Sequence, residues 1–402
     1  MATTVDINQT NPSLQLCFLA PYRRITSTGQ FIPEIDGLRF LAIFSVYIYH
    51  LTGDVMRHSV SGYHQSVQSN GLFLVTQILN VGVPLFFVIS GFILGLPFAE
   101  SHRNLRKPVS LKKYFWRRVT RLEPPYFLCL LLFFILKITT ARGSATGLLP
   151  NLIASIFYVH NPIFGRPSDI DFVAWSLEIE IQFYILAPVL GWLFAIGKAS
   201  TRRFVLAAAV LLASIVSSLV SSHPPLQLSL LAYAQYFLAG FLLVEYYLDG
   251  GERRKNWLWD FVSVAAVSSL LFLLVRGAGR LEWTIPWLIL ALFIASFRGV
   301  AINRFVTNPW IATIGGMCYT IYLLHNYSIA ALGMVTERLS PTGQFAVRLL
   351  IQFLVITPLV LAISALYFRF IERPCMRPDW PQQLRSAFLR IKSRRFLAWT
   401  TW

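Results

Sequence analysis

Ten apolar stretches recur along the chain, each close to the roughly 20 residues that cross about 30 Å of hydrocarbon. They lie at about 37–53, 72–96, 122–140, 174–197, 203–222, 226–248, 257–275, 281–297, 310–335 and 343–370. Inside hydrocarbon every backbone N–H and C=O must be satisfied within the protein, so segments of this length and spacing fold as helices. Of 402 residues, 55% are hydrophobic and only 13% charged, too little polar surface for a water-soluble domain. The expected fold is all-α and integral to the membrane, with about ten transmembrane helices around an intramembrane cavity.

A net charge of +17 would point to nucleic acid in a soluble protein, but here the basic residues alternate between the two sides of the predicted spans. One set of connections carries 25 Lys and Arg, eight of them between Arg103 and Arg121; the opposite set carries six. The positive-inside rule then places both termini in the cytoplasm and predicts a multi-pass inner or plasma membrane protein whose partners include the lipid bilayer and no nucleic acid.

Cys17, Cys129, Cys318 and Cys375 are scattered, so neither a disulfide framework nor a metal site is expected. The apolar run Leu14–Ala20 is too short for a signal peptide, which leaves targeting to the first helix. The expected organisation is a cytoplasmic tail, 1–36, a transmembrane domain, 37–376, and a basic tail, 377–402. In that last tail Phe388, Leu389, Phe396, Leu397 and Trp399 among Arg and Lys read as an interfacial amphipathic helix. Between about 141 and 173 lies the longest external connection, where Leu148–Tyr158 is apolar but too short to span and could roof a cavity.

Ionisable groups inside spanning helices are costly, and each is a functional candidate by default. Arg39 and His50 are separated by ten residues, three helical turns, so both fall on one face of the first helix, about 16 Å apart along its axis. Arg118 and Arg121, three apart at the basic entry of the third helix, present two guanidinium forks suited to a phosphate or pyrophosphate; simple anchoring of the helix end is the bland alternative. Tyr126 closes that stretch. Glu178 and Glu180 point to different faces of the fourth helix, and one of them is expected to meet the cavity at the depth of His50. Tyr319, Tyr322 and His325 form a stripe at spacing three, with His325 near the same depth, so that a His, a Glu, a Tyr and a His converge as general acid–base work on a hydroxyl requires. Ser90 with Gly91 reads as close helix packing or ligand contact.

Taken together, Ile35-Asp-Gly-Leu-Arg39 with His50, Phe86-Phe-Val-Ile-Ser-Gly-Phe92, Arg118 to Arg121, Trp175-Ser-Leu177 with Glu180 and Phe183-Tyr184, Tyr319 to His325, and Ile371-Glu-Arg-Pro374 resemble the membrane-bound acyltransferase 3 family, the O-antigen and exopolysaccharide O-acetyltransferase type. The resemblance covers about residues 33–376. It implies an acyl-CoA dependent O-acyltransferase, with acetyl-CoA the usual donor, no metal, and a carbohydrate or other hydroxyl acceptor arriving from the far side. It makes Arg39 and His50 the essential pair and gives Arg118 and Arg121 the coenzyme A end of the donor. Ser90 and Tyr126 are then expected donor contacts, Trp175, Tyr319 and Tyr322 acceptor contacts, and Glu180 and His325 catalytic companions of His50. Where many members carry a second carboxylate after the glutamate aligned with Glu180, this chain has Ile181, and Glu178 upstream is unusual. The extracytoplasmic esterase-like domain fused to some members is not in this sequence, so transfer is expected to be completed in the membrane domain or by a separate protein. A proton-coupled transporter and a silent membrane scaffold are the competing classes; no inverted halves favour the former.

Overall fold

The computed structural model describes residues 17–26, 31–57, 70–140, 142–223, 226–249, 255–336, 338, 344–377, 379–383 and 386, and among them it is helical with no β-strand. A 3-10 helix, Cys17–Tyr22, precedes α1 (Pro33–Arg57). Next, α2 (Gly71–Gln77) runs through a 3-10 turn into α3 (Gly82–His102), followed by α4 (Leu111–Thr139), the short α5 (Ala145–Ile156) and α6 (His160–Phe164), and α7 (Trp175–Leu190). The second half comprises α8 (Ala199–Val220), α9 (Leu230–Leu248), α10 (Trp257–Arg276), α11 (Ile285–Arg298), α12 (Ala301–Val306), α13 (Pro309–Gly316), α14 (Cys318–Thr336) and α15 (Phe345–Tyr367). A π-helix, Phe368–Glu372, carries α15 into a final turn, Arg373–Cys375.

Eight helical segments of the described residues are long and apolar enough to cross a membrane. The other two of the ten expected spans are α1, which carries Asp36, Arg39 and Asp54 within its 25 residues, and α13–α14, broken at Met317. Both fall outside the apolar set because they hold the site's polar residues. The bundle is apolar outside as well as inside: Phe204, Phe261 and Trp192 are 73%, 72% and 72% exposed, as lipid-facing side chains are.

Close helix crossings fix the positions of the site-bearing helices. On α13, a Cβ at Gly315 would lie 1.7 Å from the Asp36 carbonyl oxygen, and on α1 one at Gly37 would lie 2.0 Å from that of Val306. A similar contact joins α3 to α9, where Gly91 faces the Phe237 carbonyl and Gly240 that of Val88. Gly91 thus packs the helices, which leaves its neighbour Ser90 free for the cavity. At the basic end, the fully buried Glu245 of α9 holds Arg202 at 2.7 Å and Arg103 at 2.8 Å, tying α8, α9 and the end of α3 together.

The segment assigned above to a tail does not hang free: Arg373 Nε donates to the Arg23 carbonyl at 3.1 Å and the Ile25 N–H to Met376 Sδ at 3.3 Å. α1 itself starts at Pro33. Phe388 to Trp399, read as amphipathic, lie outside the described residues.

Candidate active site

A cavity of about 720 Å³ opens between α1, α3, α4, α7 and α14 and is lined by nine basic side chains and two carboxylates, Glu180 and Glu372. That volume is within the range of small-molecule sites. Arg39 reaches it from α1. One turn earlier Asp36, wholly buried, accepts from Arg39 Nη1 at 2.6 Å and pairs with Arg24 Nε at 2.8 Å. A buried carboxylate without such partners would be severely destabilising; shared by two guanidiniums, it orients both.

On α4, Arg118 and Arg121 line the same cavity, as the shared helix face requires. The Arg118 guanidinium lies 3.7 Å from the centroid of the Tyr114 ring and 5.2 Å from that of Tyr184, and Nη1 donates to the Tyr114 carbonyl at 3.1 Å. Stacking on two rings holds the fork without consuming its charge. Glu180 receives hydrogen bonds from Ser90 Oγ and, at 2.6 Å, from the Tyr184 hydroxyl one turn along α7. Glu372, buried on the π-helix, accepts from Thr320 Oγ1. The Nε of Arg121 is buried and has no hydrogen-bond partner among the described residues.

Tyr322 closes the deep end. Its hydroxyl donates to the Val173 carbonyl at 3.0 Å and lies 2.7 Å from Ser176 Oγ, while Phe86 packs edge-on against its ring. Directly behind stand the two histidines: the His325 ring centroid is 5.8 Å from that of Tyr322 and 4.9 Å from that of His50. Neither imidazole lines the cavity. His325 Nδ1 faces two carbonyl oxygens, Tyr322 at 2.8 Å and Ile321 at 3.1 Å, so it must carry the proton. Its Nε2 therefore holds a lone pair, buried and without a hydrogen-bond partner among the described residues. On its other sides His50 meets Tyr49 and Phe172, which lies just before α7.

Arg39, Ser90, Arg118, Arg121, Glu180, Tyr319 and Tyr322 thus share one cavity, and His50 and His325 share a second locus behind it. Three expectations are corrected. Glu180 does not face His50: its hydrogen bonds go to Ser90 and Tyr184, because α7 presents it to α3. Tyr126 is fully buried, stacked on Tyr158 with its hydroxyl on the Ser155 carbonyl at 3.1 Å, and does not reach the cavity. Trp175 packs on Tyr233 and its carbonyl accepts from Asn161, also away from the cavity. Of the two glutamates, Glu178 turns to the connection between α4 and α7, where it accepts the His160 and Asn161 backbone N–H groups at 3.2 and 2.8 Å.

Arg24, Asp36, Tyr114, Tyr184 and Glu372 were not singled out in advance. Asp36 sits three residues before Arg39, Tyr114 four before Arg118 and Tyr184 four after Glu180, pairings that helical spacing makes readable. Arg24 has no such local signal. In the connection between α4 and α7, Asp171 is sealed from water, and burial pushes its carboxyl up to about 8; the Arg166 guanidinium holds the carboxyl of Asp169 below the usual range.

Fold and site together define a polytopic membrane protein with a basic cavity and, behind Tyr322, a pair of imidazoles, His325 buried and His50 half-buried. The chain belongs to the acyltransferase 3 family, whose model, described as an acyltransferase domain, matches residues 32–369. It is 30% identical over 171 residues to the peptidoglycan O-acetyltransferase OatA of Listeria monocytogenes, covering 40% of this chain and 24% of that protein. A Staphylococcus aureus protein named provisionally as an O-acetyltransferase is 25% identical over 398 residues, 90% of this chain and 61% of its own length. A Bacillus subtilis protein named provisionally as a peptidoglycan O-acetyltransferase is 30% identical over 178 residues, 41% of this chain and 24% of its own. The chain therefore spans less than two thirds of the length of these relatives. No solved structure matches it.

Proposed function

We propose that this protein is a membrane-bound O-acyltransferase that moves a short acyl group, acetyl in the family's usual case, from acyl-CoA to a hydroxyl of a glycan, glycolipid or secreted small molecule. One observation carries the reading: a cavity rich in guanidiniums ends at Tyr322, with the His50–His325 pair immediately behind. Guanidinium forks suit the phosphates of coenzyme A, and the positive-inside rule makes the basic end cytoplasmic, where acyl-CoA is found. The acceptor would then approach the histidines from the opposite side. Peptidoglycan in the names of two relatives makes a cell-wall glycan the first acceptor to test.

In this scheme Arg118 and Arg121 bind donor phosphates and Arg39, held by Asp36, adds positive charge along the donor's path. His50 takes the proton of the acceptor hydroxyl as its oxygen attacks the thioester carbonyl carbon. The C–S bond breaks, the imidazolium returns a proton to the departing thiolate, and free coenzyme A and an ester result. His325, its Nδ1–H pinned to backbone, keeps Nε2 available to share the proton. Glu180 acts on the donor side, holding Ser90 and Tyr184 in place, instead of steadying an imidazolium.

Purified protein in nanodiscs, given labelled acetyl-CoA and cell-wall fragments or surface glycans, should release coenzyme A and label the acceptor. Mass spectrometry of glycans and secreted metabolites from cells with and without the gene should find one acyl modification missing. Binding of acetyl-CoA with neither coenzyme A release nor any lost modification would sink the enzyme reading. Reporters after Lys107 and near Ser168 should read cytoplasmic and external respectively; the reverse would overturn the donor placement.

A further inference from the structure

Residues 17–26 precede the stretch that matches the family, yet Arg24, Ile25 and Thr26 line the cavity. The segment is clamped there by the last turn of the bundle, through Arg373 to the Arg23 carbonyl and Met376 to the Ile25 N–H. Such a clamp suits a strap that must deliver one side chain to a fixed position.

The Arg24 side chain is only 10% exposed, and Asp36 takes up its Nε edge at 2.8 Å. Arg39 binds the same carboxylate at 2.6 Å. Two guanidiniums on one carboxylate, with side chains only 10% and 12% exposed, leave the trio with an excess positive charge; Arg121 stands beside Arg24, and Glu372 is the carboxylate that faces Arg121 and Arg39. Like charges brought together out of water are unfavourable, and an anion is what relieves them. A latch that merely fastened the chain terminus would need neither a second guanidinium on Asp36 nor a place on the cavity wall.

We infer that Arg24 is a phosphate-binding residue of the donor site: a third anchoring guanidinium, alongside Arg118 and Arg121, for the phosphorylated nucleotide end of acyl-CoA. The inference rests on the proposed acyl-CoA donor. It adds to the family's matched region a ligand supplied from outside it, so the donor site is incomplete without the strap.

The test uses the full chain in nanodiscs and coenzyme A itself as probe. Arg24→Ala should raise the Kd for coenzyme A about 10- to 100-fold, and Arg24→Lys about threefold to tenfold, since an ammonium keeps the charge without the fork. The dependence of Kd on salt should flatten in Arg24→Ala, because one phosphate contact is gone. Without ligand both variants should melt close to the wild type, as Arg39 still neutralises Asp36. A wild-type Kd in Arg24→Ala would overturn the inference and leave the donor reading intact. Equal loss in both variants, together with a lower melting temperature in the absence of ligand, would mark Arg24 as a structural latch and overturn it as well. A wild-type protein that binds no coenzyme A would overturn both readings at once.

Discussion

In the basic cavity charge is answered by charge or by a ring: Asp36 lies between Arg24 and Arg39, and Arg118 rests on Tyr114 and Tyr184. Behind Tyr322, the His50–His325 pair is surrounded by aromatic rings and backbone carbonyls, and one imidazole nitrogen has no hydrogen-bond partner among the described residues. The first environment is arranged to hold a charged molecule still. The second holds an imidazole whose Nδ1–H is taken by backbone and whose Nε2 is buried without a partner, which on the proposed reading is the group that shares the acceptor's proton. Tyr322 belongs to both, lining the cavity while its ring meets that of His325. On the proposed reading binding and chemistry fall in different places, and that separation can be attacked from each side.

The largest effect is expected on the chemical side. His50→Ala should lower acyl transfer about 100- to 10,000-fold while the Kd for coenzyme A stays near the wild-type value. His325→Ala should follow the same pattern with a smaller loss if it only shares the proton. Kinetics paired with binding measurements decide the matter: a parallel fall in coenzyme A affinity would merge the two regions into one.

The mirror image is expected in the cavity. Arg118→Ala and Arg121→Ala should each weaken coenzyme A binding about 10- to 100-fold, with Lys restoring part of it, because a charge-assisted hydrogen bond to phosphate is worth about 1.5 to 3 kcal/mol. Turnover at saturating donor should change only a few-fold. If the double variant bound coenzyme A normally, these arginines would be helix anchors.

Glu180→Gln sharpens the boundary. An amide oxygen can still accept from Ser90 and Tyr184, so acyl transfer should fall by less than about tenfold if Glu180 belongs to the donor side. A loss as large as that of His50→Ala would return Glu180 to the histidines.

The smallest effect lies outside both regions. Burial raises the Asp171 carboxyl to about 8, against about 3.9 in an unfolded chain. Between those values the folded state keeps a proton that the unfolded chain has released, so stability should decline as pH rises through the window and level off above about 8. Melting curves at pH 5 and pH 8 should differ by about 3 °C or more in the wild type, and Asp171→Asn should remove that difference. An unchanged pH slope in the variant would mean that another group sets it.

The all-α membrane fold and most of the residues that line the cavity were legible in the chain, because hydropathy and helical spacing are local properties. Arg118 and Arg121 share a wall because they are three apart, and no neighbour is needed to say so. The same reasoning failed for Glu180, whose distance along the helix was read correctly but whose partner depended on how α7 crosses α3. It failed for Tyr126 and Trp175 too, since an aromatic side chain serves packing or ligand equally well until the facing helix is known.

By itself, then, the sequence determined a helical membrane bundle, its basic end, and the face that carries both Arg39 and His50. The tertiary structure alone decided that His325 meets His50, that Glu180 belongs with Ser90, that Glu178 supports the connection between α4 and α7, and that Arg24 joins Asp36 from a segment outside the spans. The physical reason is that helix periodicity orients a side chain about its own axis. Which group it then meets is set by helix crossings such as Gly315 on Asp36, and by contacts far apart in the chain, such as Arg373 on Arg23, that no local pattern encodes.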